Sequence, residues 1–202
     1  MILVGMLDSP YVRRCAISMK LMDIPFEHQS VSVFRHFDRF RTINPVVKAP
    51  SLVCDDGTVL MDSTLIVDYL ETCVKPGRAL MPAAGPARRE ALRLVGLAMA
   101  ACEKCVSIVY EKQQRAVVDP KWMARVTGQA NTAFGELEKA VAEAKPWLQG
   151  TELNAADVAV ACAWRFGQFY NATEVPAASY PALVAYSQRA EALPQFASTP
   201  LD

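Results

Sequence analysis

The chain has 202 residues, 52% of them hydrophobic, and its 21 Lys plus Arg are balanced by 21 Asp plus Glu. At about 150 residues per domain this is one large or two small domains, with enough apolar material to exclude a disordered chain. Zero net charge argues against a general nucleic-acid or polybasic membrane binder, since both need a positive surface field.

Residues 1–7 (MILVGML) are continuously apolar and read as a strand buried on both faces. The run is too short for a signal peptide, lacks a basic leader and ends at Asp8. Ser9-Pro10 then opens a helix, serine being a favoured N-cap and proline a favoured first helical residue. Val12, Cys15, Ala16, Met19 and Met22 recur at helical spacing, and Pro25 stops the helix. Residues 26–33 form a second strand, and 34–43 a short polar and aromatic helix or loop. Asn44-Pro45 breaks the chain. Residues 50–54 and 58–61 are strand-like, with Asp56-Gly57 as a tight hairpin signal between them. Ser63 caps a helix that carries Leu65, Ile66, Tyr69 and Leu70.

Residues 75–86 (KPGRALMPAAGP) have the composition of a linker, and beyond them strand signals vanish. Residues 87–116, 121–144, 154–170 and 181–193 are helical patterns. The third opens on Asn154-Ala155-Ala156-Asp157, a capping box with Asp in place of Glu, and its apolar interior (VAVACAW) suits a central buried helix. No stretch approaches the roughly 20 uninterrupted apolar residues of a membrane span. The six cysteines (Cys15, Cys54, Cys73, Cys102, Cys105, Cys162) show no framework spacing and read as reduced core thiols. Two histidines, His28 and His36, without a nearby cysteine cluster argue against a zinc site or a histidine-driven nucleophile.

Four motifs resemble the cytosolic glutathione S-transferase family. Ser9-Pro10-Tyr11-Val12-Arg13-Arg14 is similar to the start of the first helix in its serine-type members. Asn44-Pro45-Val46-Val47-Lys48-Ala49-Pro50 resembles the segment whose last proline is cis in that family. Asp62-Ser63 resembles the acidic-serine pair after the hairpin, and residues 154–157 resemble the cap of the central helix. The motifs occur in order and at family spacing along the whole chain, nearest in character to bacterial, unclassified members. The resemblance implies an α/β thioredoxin-like domain (βαβαββα) over residues 1–76, a linker over 77–86 and an all-α domain over 87–202.

It also implies a chemistry. Glutathione has two carboxylates and one thiol, and only the thiolate is a good nucleophile. Lowering a thiol pKa by two units takes roughly 2.7 kcal/mol. A hydroxyl donor at a helix N-terminus can supply that, so Ser9 is the implied catalytic residue. Its plain structural role is an N-cap, which overlaps with the functional one. The Ala49 backbone, preceding Pro50, would pair with the cysteinyl part of glutathione as an added strand. The family usually has a larger aliphatic residue there, so alanine loses some packing. Lys48 would reach the tripeptide backbone or the glycyl carboxylate; the alternative is a solvated lysine. Asp62 would meet the γ-glutamyl ammonium and Ser63 its carboxylate; the alternative is a cap with a dipole-complementing acid. Arg13 and Arg14 add positive potential, with one of them expected to ion-pair across domains. The pocket for the second substrate is expected near Tyr11, Cys105 and Tyr110. Cys102-Glu103-Lys104-Cys105 lies in a helical pattern and reads as core packing rather than a redox pair.

The resemblance implies a cytoplasmic, homodimeric, detoxifying transferase that uses glutathione and no metal. Its activated thiolate would attack a small apolar electrophile. The rivals are a non-catalytic interaction protein of the same fold, or a sibling glutathione-dependent peroxidase, dehalogenase or isomerase. The Ser-Ser-Cys stretch typical of the isomerases at the first helix is absent, which disfavours that option.

Overall fold

The computed structural model describes residues 1–201. Contacts gather the chain into two units, residues 1–80 together with the segment from Leu193 on, and residues 81–192. The first unit runs β1 (Ile2–Val4), α1 (Pro10–Leu21), β2 (Glu27–Gln29), α2 (Phe37–Ile43), β3 (Ser51–Val53), β4 (Val59–Met61) and α3 (Ser63–Cys73). This is the expected βαβαββα order. The sheet order is β2-β1-β3-β4, with β1 parallel to β2 and antiparallel to β3, and β3 antiparallel to β4.

The strands are shorter than the apolar runs suggest. β1 ends at Val4 because Gly5 has φ +139°, and a Cβ there would stand 2.6 Å from Val12 Cγ2. Glycine therefore lets the β1–α1 loop press against the first turn of α1. Gly57 closes the β3–β4 hairpin at φ +86°, donating from its N–H to the Cys54 carbonyl at 3.0 Å.

The second unit is helical: α4 (Gly85–Gln114), α5 (Pro120–Ala142), α6 (Ala155–Tyr170) and α7 (Pro181–Glu191), with a 3₁₀ turn at Ala177–Ser179. Each residue of α6 from Ala155 to Trp164 is buried, which explains its apolar circumference. Its capping box forms as expected: Asn154 Oδ1 accepts from the Ala156 amide, and Asp157 Oδ2 accepts from the Asn154 amide at 2.7 Å.

Three expectations need correction. The segment after α7 forms a further short helix, α8 (Pro194–Ala197), and groups with the first unit rather than with the helical region. The reason is a set of hydrogen bonds between residues far apart in the chain. Arg13 Nε donates to the Thr199 carbonyl at 2.8 Å, Arg13 Nη2 to the Phe196 carbonyl at 3.3 Å, and Lys20 Nζ to Ser198 Oγ at 2.7 Å. Not all the thiols are in the core, since Cys73 is exposed at the end of α3 while the other five are buried. Finally, the N-cap of α3 is Asp62, not Ser63.

Candidate functional site

The site is built on the loops and helix starts of the first unit. Ser9 is the N-cap of α1, with extended backbone angles (φ −69°, ψ 123°). Its Oγ accepts from the Val12 amide at 3.5 Å, the outer limit of a hydrogen bond. The cap thus uses the oxygen only weakly and leaves the hydroxyl proton to be donated elsewhere. Pro10 follows at the first helical position, and Tyr11 on the same turn is half-buried.

The Asn44–Pro50 segment is braced from inside. Asn44 is buried; its Nδ2 donates to Ser51 Oγ at 2.8 Å, and its Oδ1 accepts from the Val46 amide at 3.0 Å. Ser51 Oγ in turn donates to the Lys48 carbonyl at 2.8 Å. The Ala49–Pro50 bond is cis, as the resemblance implies. Ala49 abuts the β1–α1 loop, its Cβ lying 3.1 Å from where a Gly5 Cβ would sit.

Asp62 has φ +73°, a left-handed conformation that aspartate tolerates better than most residues. Its Oδ1 accepts from the Thr64 amide at 2.9 Å, and Lys48 Nζ stands 3.5 Å from Oδ2. Burial by itself would raise this carboxyl, but the Thr64 amide, the Lys48 ammonium and the Leu65 amide outweigh it and hold it below the ordinary value. The pair with Lys48 is about half exposed on both sides, so it is weak and free to exchange for a ligand. Ser63 is buried on the first turn of α3.

The two arginines separate. Arg13 is fully buried and donates to the carbonyls of Phe196 on α8 and Thr199 just beyond it, with its guanidinium 5.8 Å from the Phe196 ring. Arg14, also buried, turns to α3: its Nη1 donates to Ser63 Oγ at 3.3 Å and to Thr64 Oγ1 at 3.2 Å. A chain of contacts thus joins Gly5 to Ala49, Lys48 to Asp62 and Arg14 to Ser63, which brings the three N-terminal motifs into one place.

The residues named for a second-substrate pocket behave differently. Tyr110 on α4 is 44% exposed. Cys105 is wholly enclosed in the helical core, and burial pushes its thiol up to about 12 against an opposing hydrogen bond from Asn171. It cannot line an open pocket, which corrects that expectation. Cys102 is equally enclosed, so the CxxC is core packing. A groove of about 730 Å³ lined by residues such as Met1, Phe26, Asp55 and Cys73 opens beside the start of β1, at the other end of that strand from Ser9. Among the described residues there is no cluster of three or more His, Cys, Asp or Glu suited to a metal, and no helix long and apolar enough to cross a membrane.

Asn44 and Arg14 are the residues whose part the sequence reading missed. The sequence signalled Asn44 as a chain break and as the first residue of a family motif, but not as the brace of that segment. Nothing in the sequence separates Arg14 from its neighbour, although adjacent residues on a helix point about 100° apart.

Comparison with known proteins bears on the family and the fold. Residues 3–75 match the model of the glutathione S-transferase N-terminal domain, and residues 99–194 match that of the C-terminal domain. The Drosophila melanogaster probable maleylacetoacetate isomerase 1 is 31% identical over 196 residues, covering 92% of this chain and 74% of the relative. The crystal structure of a glutathione transferase family member from Pseudomonas fluorescens with bound glutathione superposes with a TM-score of 0.84 at 26% identity, over 100% of this chain and 98% of the other. A glutathione S-transferase from Methylobacterium radiotolerans in complex with glutathione sulfonate shares the fold at a TM-score of 0.89 and 24% identity, over 98% and 93% of the two chains. With both domain models matched in order and a relative aligned over 92% of this chain, the chain belongs to the cytosolic glutathione S-transferase family.

Proposed function

We propose that the chain binds reduced glutathione along the starts of α1 and α3 and presents its thiolate to a small apolar electrophile. The observation that carries this reading is the meeting, within one unit, of a hydroxyl-capped and an acid-capped helix N-terminus with Lys48 and Ala49 between them. Ser9 donates its hydroxyl proton to the sulfur, and the partial positive charge of the α1 N-terminus adds to it, so the anion is favoured over the thiol. The Ala49 backbone, ahead of Pro50, pairs with the cysteinyl residue. Asp62 takes the γ-glutamyl ammonium, releasing Lys48 toward the tripeptide. Ser63 and the first amides of α3 take the γ-glutamyl carboxylate. In conjugation the sulfur forms a bond to the electrophilic carbon, and the displaced group leaves with the electron pair. Tyr11, half-buried on the first turn of α1, is the proposed second-substrate residue of the first unit. We read the working form as a cytoplasmic homodimer with a detoxifying role.

A second reading has its own support in the 31% identity to a maleylacetoacetate isomerase. There the same thiolate adds to a conjugated double bond, the carbon–carbon bond rotates, and elimination restores glutathione. The two readings differ in product: conjugation consumes glutathione and isomerisation regenerates it.

The test is Ser9→Ala. It should keep most of the glutathione affinity measured by calorimetry, while the thiolate absorbance of the bound ligand titrates about two pH units higher and conjugation of a dinitrobenzene-type electrophile slows correspondingly. A variant that conjugates at the parent rate would reduce Ser9 to a helix cap. A parent chain that binds no glutathione would favour the non-catalytic interaction protein.

A further inference from the structure

Arg14 lies at the point where α1 touches α3. It is 2% exposed, and its Nη1 donates to both Ser63 Oγ and Thr64 Oγ1. The next residue reinforces the contact, with Cys15 Sγ 3.9 Å from the Ser63 carbonyl. A guanidinium has five N–H donors and no acceptor, whereas a serine hydroxyl has one proton and two lone pairs. Once Arg14 occupies a lone pair of Ser63 Oγ, the Ser63 proton cannot point back toward Arg14 and must be donated in another direction. A cation on its oxygen also makes that hydroxyl a stronger donor. The same place carries the positive end of α3, an 11-residue helix.

We propose that Arg14 is a positioning residue: through Ser63 it aims one polarised hydroxyl proton at the ligand and makes the α3 N-terminus selective for a carboxylate. This rests on the glutathione reading above, in which that carboxylate is the γ-glutamyl one. Arg14 acts from behind Ser63 and does not touch the ligand. Arg13, the same residue type one position earlier, donates instead to the carbonyls of Phe196 and Thr199. Arginine is needed because two adjacent hydroxyls are served by one planar donor group, which the point charge of lysine does not reproduce.

The experiment is a cycle between protein and ligand. Calorimetry would compare the parent, Arg14→Gln and Ser63→Ala against glutathione and against 4-aminobutyryl-cysteinyl-glycine, which lacks only the γ-glutamyl α-carboxylate. Arg14→Gln should weaken glutathione binding about tenfold and binding of the analogue by less than about twofold. The titration of the bound thiol should stay where it is in the parent. Ser63→Ala should lose the same preference for glutathione over the analogue. Equal losses for the two ligands, or a variant that keeps the parental preference, would overturn the proposal. Should Arg14→Gln fail to fold, Ser63→Ala decides alone, and parental preference in that variant overturns the role. A parent chain that binds no glutathione overturns the reading of the site and this inference with it. Binding with an unaltered preference overturns only the part given to Arg14.

Discussion

Ser9 and Ser63 each have a single proton to offer, and in the proposed site both would donate it to the ligand. The Ser9 oxygen is held by a long bond from the Val12 amide, and the Ser63 oxygen by a buried guanidinium. Between them, Asp62 does two jobs. It caps α3 through the Thr64 amide and faces Lys48. Asp62→Ala is expected to cost about 1–2 kcal/mol in thermal or urea unfolding, since it removes the cap and places alanine at positive φ, and it should weaken glutathione binding as well. Because the Asp62 carboxyl is held below its ordinary value of 3.8, its contribution is whole above that pH and is lost as the pH falls through the depressed value. Asp62→Asn should keep the cap and flatten that acid limb; an unchanged limb would place the titration elsewhere. The cap positions were readable because capping is a local matter of residue type and spacing. The exchange of roles between Asp62 and Ser63 was not, because it depends on a backbone angle that the hairpin before it imposes. Nor was the parting of Arg13 from Arg14, since the fold gives each a different face of α1 to serve.

At the scale of elements, residue patterns located helices more closely than strands. The helical runs after residue 86 begin and end within about two residues of α4 to α7, because each start carries its own proline or capping residue. The strands span three residues each, since a ladder stops where its neighbour does, which no single segment reveals. The start of α6 shows how a local signal can carry a tertiary load. Asp157 closes the capping box, accepts from the Leu148 amide at 2.9 Å and also accepts from the Tyr186 hydroxyl. Burial pushes its carboxyl above the ordinary value in spite of these donors. The native state therefore holds the Asp157 proton more tightly than the unfolded chain does. Its contribution falls as the pH rises from 3.8 toward the raised value, opposite in sign to Asp62. Asp157→Ala would strand three donors in the core. A loss of about 3 kcal/mol is expected in urea unfolding at neutral pH, and a loss below about 1 kcal/mol would show that the box is incidental. The CxxC on α4 is the converse case, a motif with a chemical reputation that packing alone explains.

For the molecule as a whole, the balance of 21 positive and 21 negative charges means that an anionic tripeptide would have to be attracted locally. Two helix N-termini, Lys48 and the cation behind Ser63 are the means available. The first unit also exposes Val59, Met61, Leu65 and Tyr69 along β4 and α3, with Leu65 at 64%. If the working form is a dimer that covers this face, sedimentation should find a dimer for the parent, and Leu65→Glu should weaken it by about thirtyfold or more. A parent that sediments as a monomer at micromolar concentration would remove the dimer from the proposal. The sequence by itself determined the βαβαββα order of residues 1–76, the starts of α4 to α7 and the four motifs, because these are matters of local propensity, capping and spacing. Only the tertiary structure decided that the segment from Leu193 on belongs with the first unit, that Arg14 rather than Arg13 reaches Ser63, and that Cys105 is sealed in the helical core. Each of these is a contact between residues far apart in the chain, where the partner's position, not the residue's own type, fixes what it does.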